Sequence, residues 1–302
     1  MKRLGLAVFG VTALAACTRP ESPAPAAATG AREEWVELLD RDFSQWDVYL
    51  SYPGVVIASV VAATAPADLQ PIGMNKDDKQ VFSMIEEAGE PVLKITGEIY
   101  GAAATKQEFD NFHFKAKFKW GEKKWEPRLN ELKDSGILYF SVGDFGVDYW
   151  HSWMESQEFQ IIEGGIGDYW TIANAQIDIP AHKPEGSDLF HYSADAPLLH
   201  FAAGESSTAV ANHCRRGQDR EIPNAWNEIE IICYDGNCVH VANGGVVMTL
   251  SNSRHIVNGE TTPLRRGKIQ IQSEAAEVFY KDVVIKPISA MPEQYREHFA
   301  RE

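Results

Sequence analysis

The sequence predicts an all-β protein: two antiparallel sheets stacked as a jelly-roll sandwich, with few and short helices. Three observations predict it. Period-two runs recur along the chain, Asp-Gly and Asn-Gly turns join several of them, and amphipathic helical periodicity is scarce. The run "FDNFHFKAKFKW" puts Phe112, Phe114, Ala116, Phe118 and Trp120 on one side of a strand and His113, Lys115, Lys117 and Lys119 on the other. "SGILYFSV" is a more continuously apolar strand. "QEFQIIEGGIGDYW" opens with Glu158 and Gln160 on one face and Phe159 and Ile161 on the other. It then runs through glycines into the Asp168-Tyr169-Trp170 cluster. "NEIEIICYDGNCVHVANGGVVMTL" reads as a meander with turns at Asp235-Gly236 and Asn243-Gly244. "GKIQIQSEAAEVFYKDVVIKPI" adds a strand pair, with Ile269 and Ile271 inward and Lys268, Gln270 and Gln272 outward. In such a sandwich the wet face of the concave sheet is where a ligand lies.

The N-terminus indicates where the protein works. Met1-Lys2-Arg3 is basic, Leu4 to Ala16 is apolar with small residues at its end, and Cys17 follows. Residues 1–16 read as a secretory signal ending in the lipoprotein box Leu14-Ala15-Ala16-Cys17. Cys17 is then the lipid acceptor, and the expected location is the bacterial cell envelope, on a membrane reached only through that anchor. The apolar run is too short to cross a bilayer as a helix. Residues 17–33 are rich in Ala and Pro and read as a flexible tether. No composition break follows, so residues 34–290 read as one sandwich domain, with 291–302 as a tail.

The 302-residue chain carries a formal net charge of −15, and loss of Lys2 and Arg3 with the signal makes it more negative still. An acidic chain without a basic stripe argues against a nucleic-acid partner. Beyond Cys17, three cysteines remain: Cys214, Cys233 and Cys238. Their number allows one disulfide and one free thiol. Cys233 and Cys238 face each other across the Asp235-Gly236 turn, and Cys214 is the other available partner of Cys233. The absence of a paired Cys-x-x-Cys speaks against a zinc site.

The chemistry has to come from polar residues on sheet faces and in loops. The sequence holds no Gly-x-Ser-x-Gly elbow, His-Glu-x-x-His helix, phosphate loop or dinucleotide fingerprint. Glu158 and Gln160 share a strand face, about 7 Å apart. Glu163 has the opposite parity, but it abuts Gly164-Gly165, where a bulge can re-aim it. Trp150, Trp153, Tyr169 and Trp170 crowd the ends of this strand, and flat rings suit the apolar face of a pyranose as carboxylates and amides suit its hydroxyls. Each Trp taken alone is more often core packing; the cluster is what indicates a sugar site. His151 is a candidate general base or a rim histidine. Lys106 is a candidate for steadying an anionic intermediate, against the commoner solvated lysine. Arg215, with Arg216, can bind substrate oxygens or pair with surplus carboxylates. Glu158, His151 and Glu163 are therefore the catalytic candidates. Gln160, Asp168, Tyr169, Trp170, Trp153, Lys106, Arg215 and Gln272 are the substrate-binding ones.

Six stretches in order carry a resemblance: "WVELLDRDFSQWDVYL", "LKITGEIYGAAATKQEFDNFHFKAKFKWGEKKWEP", "DSGILYF", "WMESQEFQIIEGGIGDYW", "WNEIEIICYDGNCVHVANGGVVM" and "GKIQIQSEAAEVFYKDVVIKPI". Together, from about Trp35 to Ile288, they resemble the 3-keto-disaccharide hydrolase family. The resemblance implies a concanavalin A-like, laminarinase-type sandwich in a bacterial envelope protein. It implies cleavage of 3-keto-glycosides, sugars first oxidised at C3 by a partner glycoside 3-dehydrogenase. A C3 ketone acidifies the C2 hydrogen. A base removes it, the C1 bond is lost by β-elimination, and water adds back. Such a reaction needs a base near C2, donors or a divalent metal at the C3 oxygen, and an acid at the leaving oxygen. The two-carboxylate oxocarbenium route is the rival chemistry, and a non-catalytic carbohydrate-binding lipoprotein is the rival function. By resemblance Glu158 is the acid/base or metal-side group, and Gln160, Asp168 and Tyr169 position the sugar. The family pattern carries a histidine after the Asp-Ser-Gly run where this chain has Phe140, which leaves His151 or Glu158 as base. The resemblance also implies a Cys214–Cys233 disulfide.

Overall fold

The computed structural model describes residues 34–62, 64–147, 151–203 and 208–299. The signal, Cys17, the tether and Trp150 lie outside the described residues. The first layer is antiparallel throughout. Its order is Phe82–Glu87, Glu90–Ile95, Ala276–Pro287, Phe112–Lys124, Asn227–Tyr234, Asn237–Ala242 and the first half of Gly245–Val257. The second layer runs Trp46–Pro53, Ile99–Thr105, Arg266–Ser273, Asp134–Val142, Glu155–Ile162 and Asp168–Ile172. The far half of Gly245–Val257 pairs with Ala175–His182, so one strand passes from the first layer to the strands beside the second.

Alternation explains why these layers stack. Phe112, Phe114, Ala116 and Phe118 from the first layer meet Ala103, Ile137, Tyr139, Phe159, Ile161 and Ile271 from the second in one core. The lysines on the other side of Phe112–Lys124 stay at the surface and pair with carboxylates: Lys115 with Glu230, Lys117 with Asp282, Lys119 with Glu87. The all-β sandwich expected from period-two patterning is the fold observed. Its turns follow the sequence as well. Asp235 and Gly236 have φ of 50° and 78°, and Asn243 and Gly244 have 45° and 74°. Both pairs have the two left-handed residues of a type I′ hairpin. A second apolar cluster sits on the outer side of the second layer. There Tyr52, Tyr100, Leu138, Trp153 and Ile172 pack with Ile57 and Val60 of the helix Gly54–Val61. Among the described residues, no helix is long and apolar enough to cross a membrane.

The disulfide corrects one expectation. Cys233 bonds to Cys238, not to Cys214. The two are register partners across the Asp235-Gly236 turn, with Cα atoms 4.3 Å apart, the spacing of a non-hydrogen-bonded antiparallel pair. Cys214 lies on another strand, opposite Tyr169, buried with its thiol reduced. Burial, and then the charge of Asp168, push that thiol's pKa up. Peptide mapping without reductant is therefore expected to yield one linked Cys233/Cys238 fragment, with Cys214 alkylated only after unfolding; a Cys214-containing linked fragment would contradict this. The closed loop is short, so loss of the bond is expected to cost about 2 kcal/mol.

Candidate functional site

The outer face of the second layer holds a cavity of about 500 Å³. Its floor comes from three neighbouring strands whose side chains alternate between core and cavity. On Glu155–Ile162, Phe159 and Ile161 enter the core, so Glu158 and Gln160 face the cavity. Gly136 lies opposite Gln160 on Asp134–Val142, and Asp134 lies opposite Ile162. Gln272 comes from Arg266–Ser273, and Glu274 follows it as a bridge partner of Asp134. Trp153, Trp170, Val147 and Ile172 make an apolar wall, while Arg128 rises from the loop before Asp134. The arrangement pairs a flat apolar side with an acid- and amide-lined floor, which is the complement of a pyranose ring.

Gly136 sets the depth of that floor. A Cβ built there would overlap the Oε1 atoms of both Gln272 and Glu158. Without it the two side chains meet over bare backbone. Gly136→Ala is expected to fold, because only side-chain ends must shift, and to displace Glu158 by enough to cost about a hundredfold in turnover. Unchanged turnover in a folded Gly136→Ala protein would remove Gly136 from the site.

Arg128, Asp134 and Glu274 form the charged end of the cavity. Arg128 Nη2 lies 2.6 Å from Asp134 Oδ2, and Nη1 lies 3.5 Å from Glu274 Oε1. Gln160 Nε2 donates to Asp134 Oδ1 at 2.9 Å. Burial, followed by the Glu274 charge, raises the Asp134 pKa well above the ordinary value; Arg128 and the Ser135 amide oppose that shift. Burial works against the charged Arg128 guanidinium, but Asp134 and Glu274 outweigh it and hold its pKa above the usual value. The Oε1 atoms of Gln160 and Gln272 are buried at the floor and accept no hydrogen bond from the described residues, which leaves acceptor capacity for a sugar hydroxyl that reaches the floor.

The structure thus brings together Glu158, Gln160, Trp153, Trp170 and Gln272. It places the other sequence candidates elsewhere. Tyr169 alternates inward, fully buried in the core with its hydroxyl on Gln157 Oε1, so it cannot position a sugar. Asp168 is engaged by Arg216, whose backbone N–H and Nη1 both lie at 2.9 Å, and by His213. Burial works against its ionised form, and the His213 and Arg216 hydrogen bonds outweigh that, so its pKa is lowered. Asp168 anchors a loop and does not line the cavity. Trp170 stacks on His213, ring centres 4.3 Å apart, which fixes the indole at the wall. Glu163 pairs with Lys133 at 3.3 Å in a separate cavity of about 260 Å³. Lys106 donates to Ser44 O at 2.8 Å on the exposed surface. Arg215 pairs in the ladder with His191, and exposed His151 edges against Tyr52; neither lines the cavity. Phe140 has φ of 53° at a register shift, and this twist turns it into the core against Phe112 and Tyr139. The position that departs from the family pattern is therefore absent from this floor.

Sequence reasoning missed Asp134, Glu274 and Arg128. Asp134 stands in the quoted "DSGILYF" run with the parity of Gly136, and Glu274 extends the outward series Gln270, Gln272. That parity was the available signal. Arg128 lies in a loop, where no periodicity applies. Among the described residues, no group of three or more His, Cys, Asp or Glu is arranged to hold a metal ion. The divalent metal implied by resemblance thus finds no donor set there, and no step below is routed through one.

Fold and site define a carbohydrate-active β-sandwich protein. The profile of the 3-keto-alpha-glucoside-1,2-lyase-like domain matches residues 34–286, and the chain belongs to that family. No curated protein matches the chain. Solved structures similar to it include a protein provisionally assigned as a glycosyl hydrolase from Parabacteroides distasonis, at 16% identity and TM-score 0.42, covering 84% of this chain and 94% of that one. A second provisionally assigned glycosyl hydrolase from the same organism has 16% identity and TM-score 0.39, covering 70% and 92%. The carbohydrate-binding module CBM66 of Bacillus subtilis has 6% identity and TM-score 0.38, covering 68% and 91%.

Proposed function

We propose that the cavity cleaves 3-keto-glycosides by C2 deprotonation, β-elimination and hydration, acting on sugars that a C3-oxidising dehydrogenase has prepared. The observation that carries this reading is Glu158, a buried carboxylate on a rigid strand, set over bare Gly136 at the floor of an acid-lined cavity. Membership of the 3-keto-alpha-glucoside-1,2-lyase-like family supports the choice of substrate class.

Glu158 takes the proton from C2. The electron pair moves into the C1–C2 bond as the C1–oxygen bond breaks and the aglycone departs. Charge built up at the C3 oxygen during deprotonation is met by Arg128 and by amide N–H groups of the floor. Water then adds at C1, and Glu158, its proton exchanged with water once the aglycone has left, protonates C2, so the net change is hydrolysis. Burial between strands lowers the local dielectric around the base and strengthens each of these interactions.

This reading requires the C3 ketone. A 3-keto-glucoside is expected to release its aglycone, whereas the same glycoside unoxidised turns over at a small fraction of that rate. In deuterated water the sugar product is expected to carry deuterium at C2. Equal turnover of the unoxidised glycoside without C2 exchange would indicate the oxocarbenium route. Tight binding of both with turnover of neither would indicate a carbohydrate-binding protein.

A further inference from the structure

The cavity holds more carboxyl groups than one elimination base requires. Glu158, Asp134 and Glu274 all line it, 3%, 3% and 6% exposed, and among the described lining residues Arg128 supplies the one positive side chain. Asp134 and Glu274 are bridge partners on adjacent chain segments and both lie against the same guanidinium, at 2.6 and 3.5 Å. One cation offsets one neighbouring anion, so ionising both carboxyls would leave an uncompensated charge in a buried place. Among the described residues, the other titratable side chains against the pair are acids and phenols. Glu131, on the Nε side of Arg128 at 3.7 Å, is another acid. Tyr100 and Tyr280 are kept un-ionised, chiefly by burial, with nearby carboxylate charge adding to it. The Gln160 amide contributes a single hydrogen bond, at 2.9 Å.

We propose that Asp134 and Glu274 hold one proton between them and that this pair is the acid that protonates the departing glycosidic oxygen. This rests on the elimination proposed above. As Glu158 accepts the C2 hydrogen and the C1–oxygen bond breaks, the shared proton passes to the leaving oxygen. The pair is left fully ionised against Arg128. When water adds at C1, the proton it sheds restores the pair, while Glu158, after exchange with water, protonates C2. Atoms and charge balance over the cycle, and no further reactant is needed. The raised pKa of Asp134 agrees with the charge count, and the proton belongs to the pair, not to one oxygen.

Two measurements test this. The first needs no substrate. Infrared difference spectroscopy at neutral pH is expected to show the carbonyl stretch of an un-ionised carboxyl in the wild-type protein, lost in both Asp134→Asn and Glu274→Gln. A band that survives in both belongs to another carboxyl, such as half-buried Glu221 or exposed Glu37, whose pKa values are also raised. That outcome, or no band at all, overturns the proposal. The second uses 3-keto-glucosides with good and poor leaving groups. In Glu274→Gln, a nitrophenyl leaving group is expected to depart at near wild-type kcat, while an alkyl one slows about a hundredfold. Equal slowing of both overturns the leaving-group role. If no 3-keto-glucoside is cleaved by wild type, the elimination fails while the infrared result still decides whether the proton is shared.

Discussion

Glu158→Gln is expected to lower turnover of a 3-keto-glucoside by about a hundredfold or more, the scale of a lost acid/base group, with thermal stability unchanged or raised. Glutamine keeps the shape of the side chain and its place over Gly136 while removing the charge. Replacing a carboxylate that is 3% exposed also removes the cost of burying that charge. An exposed carboxylate pairing with a lysine would behave otherwise, changing neither activity nor stability by much. Kinetics and thermal melting of the same variant separate the two. Near wild-type turnover in a folded Glu158→Gln protein would move the base to Asp134 or Glu274.

Arg128→Met is expected to have the largest effect on stability, a loss of about 3–5 kcal/mol at neutral pH, because it strands buried carboxyls whose cation is gone. The Arg128 side chain is only 16% exposed, Asp134 4% and Glu274 7%, so solvent does little to replace the lost partner. The pH dependence follows from the direction of the Asp134 shift. Its folded pKa is already raised and rises further without Arg128. A raised carboxyl binds protons more tightly in the folded than in the unfolded chain, so its penalty grows as pH climbs above the ordinary carboxylate value. On acidification toward that value both states are protonated, and the deficit of Arg128→Met shrinks. Urea unfolding of wild type and variant at neutral and acidic pH checks this. A deficit that widens in acid would show that the carboxyls are not the stranded groups.

The fold was legible because its signals are local. Alternation in Phe112–Lys124 and the Asp-Gly and Asn-Gly turns need no knowledge of the rest of the chain, and each appears as the sequence predicts. The Glu158 face was legible for the same reason. What failed needed tertiary information. Tyr169 and Trp170 are adjacent aromatics, and only the pairing of their strand with Glu155–Ile162 decides which enters the core. Glu163 sits just beyond the strand, where period-two parity ends. Arg128 reaches the cavity from a loop, and the meeting of Asp134 with Glu274 spans most of the domain. The disulfide was chosen by resemblance where hairpin geometry already offered Cys233 and Cys238 as neighbours.

The alternation that builds the floor has a consequence for how the protein can diversify. Ile137 and Tyr139 on Asp134–Val142 and Phe159 and Ile161 on Glu155–Ile162 are held in the sandwich core, so the groups between them cannot shift without repacking it. The walls are bound by no such constraint: Val147, Ala173, Asn174, Ala203 and Asn212 line the same cavity outside the three floor strands. Reaction and recognition therefore reside in separable parts of the molecule. Grafting wall segments from a relative should change which glycoside enters while the pH profile of catalysis, written into the floor, travels unchanged with the scaffold.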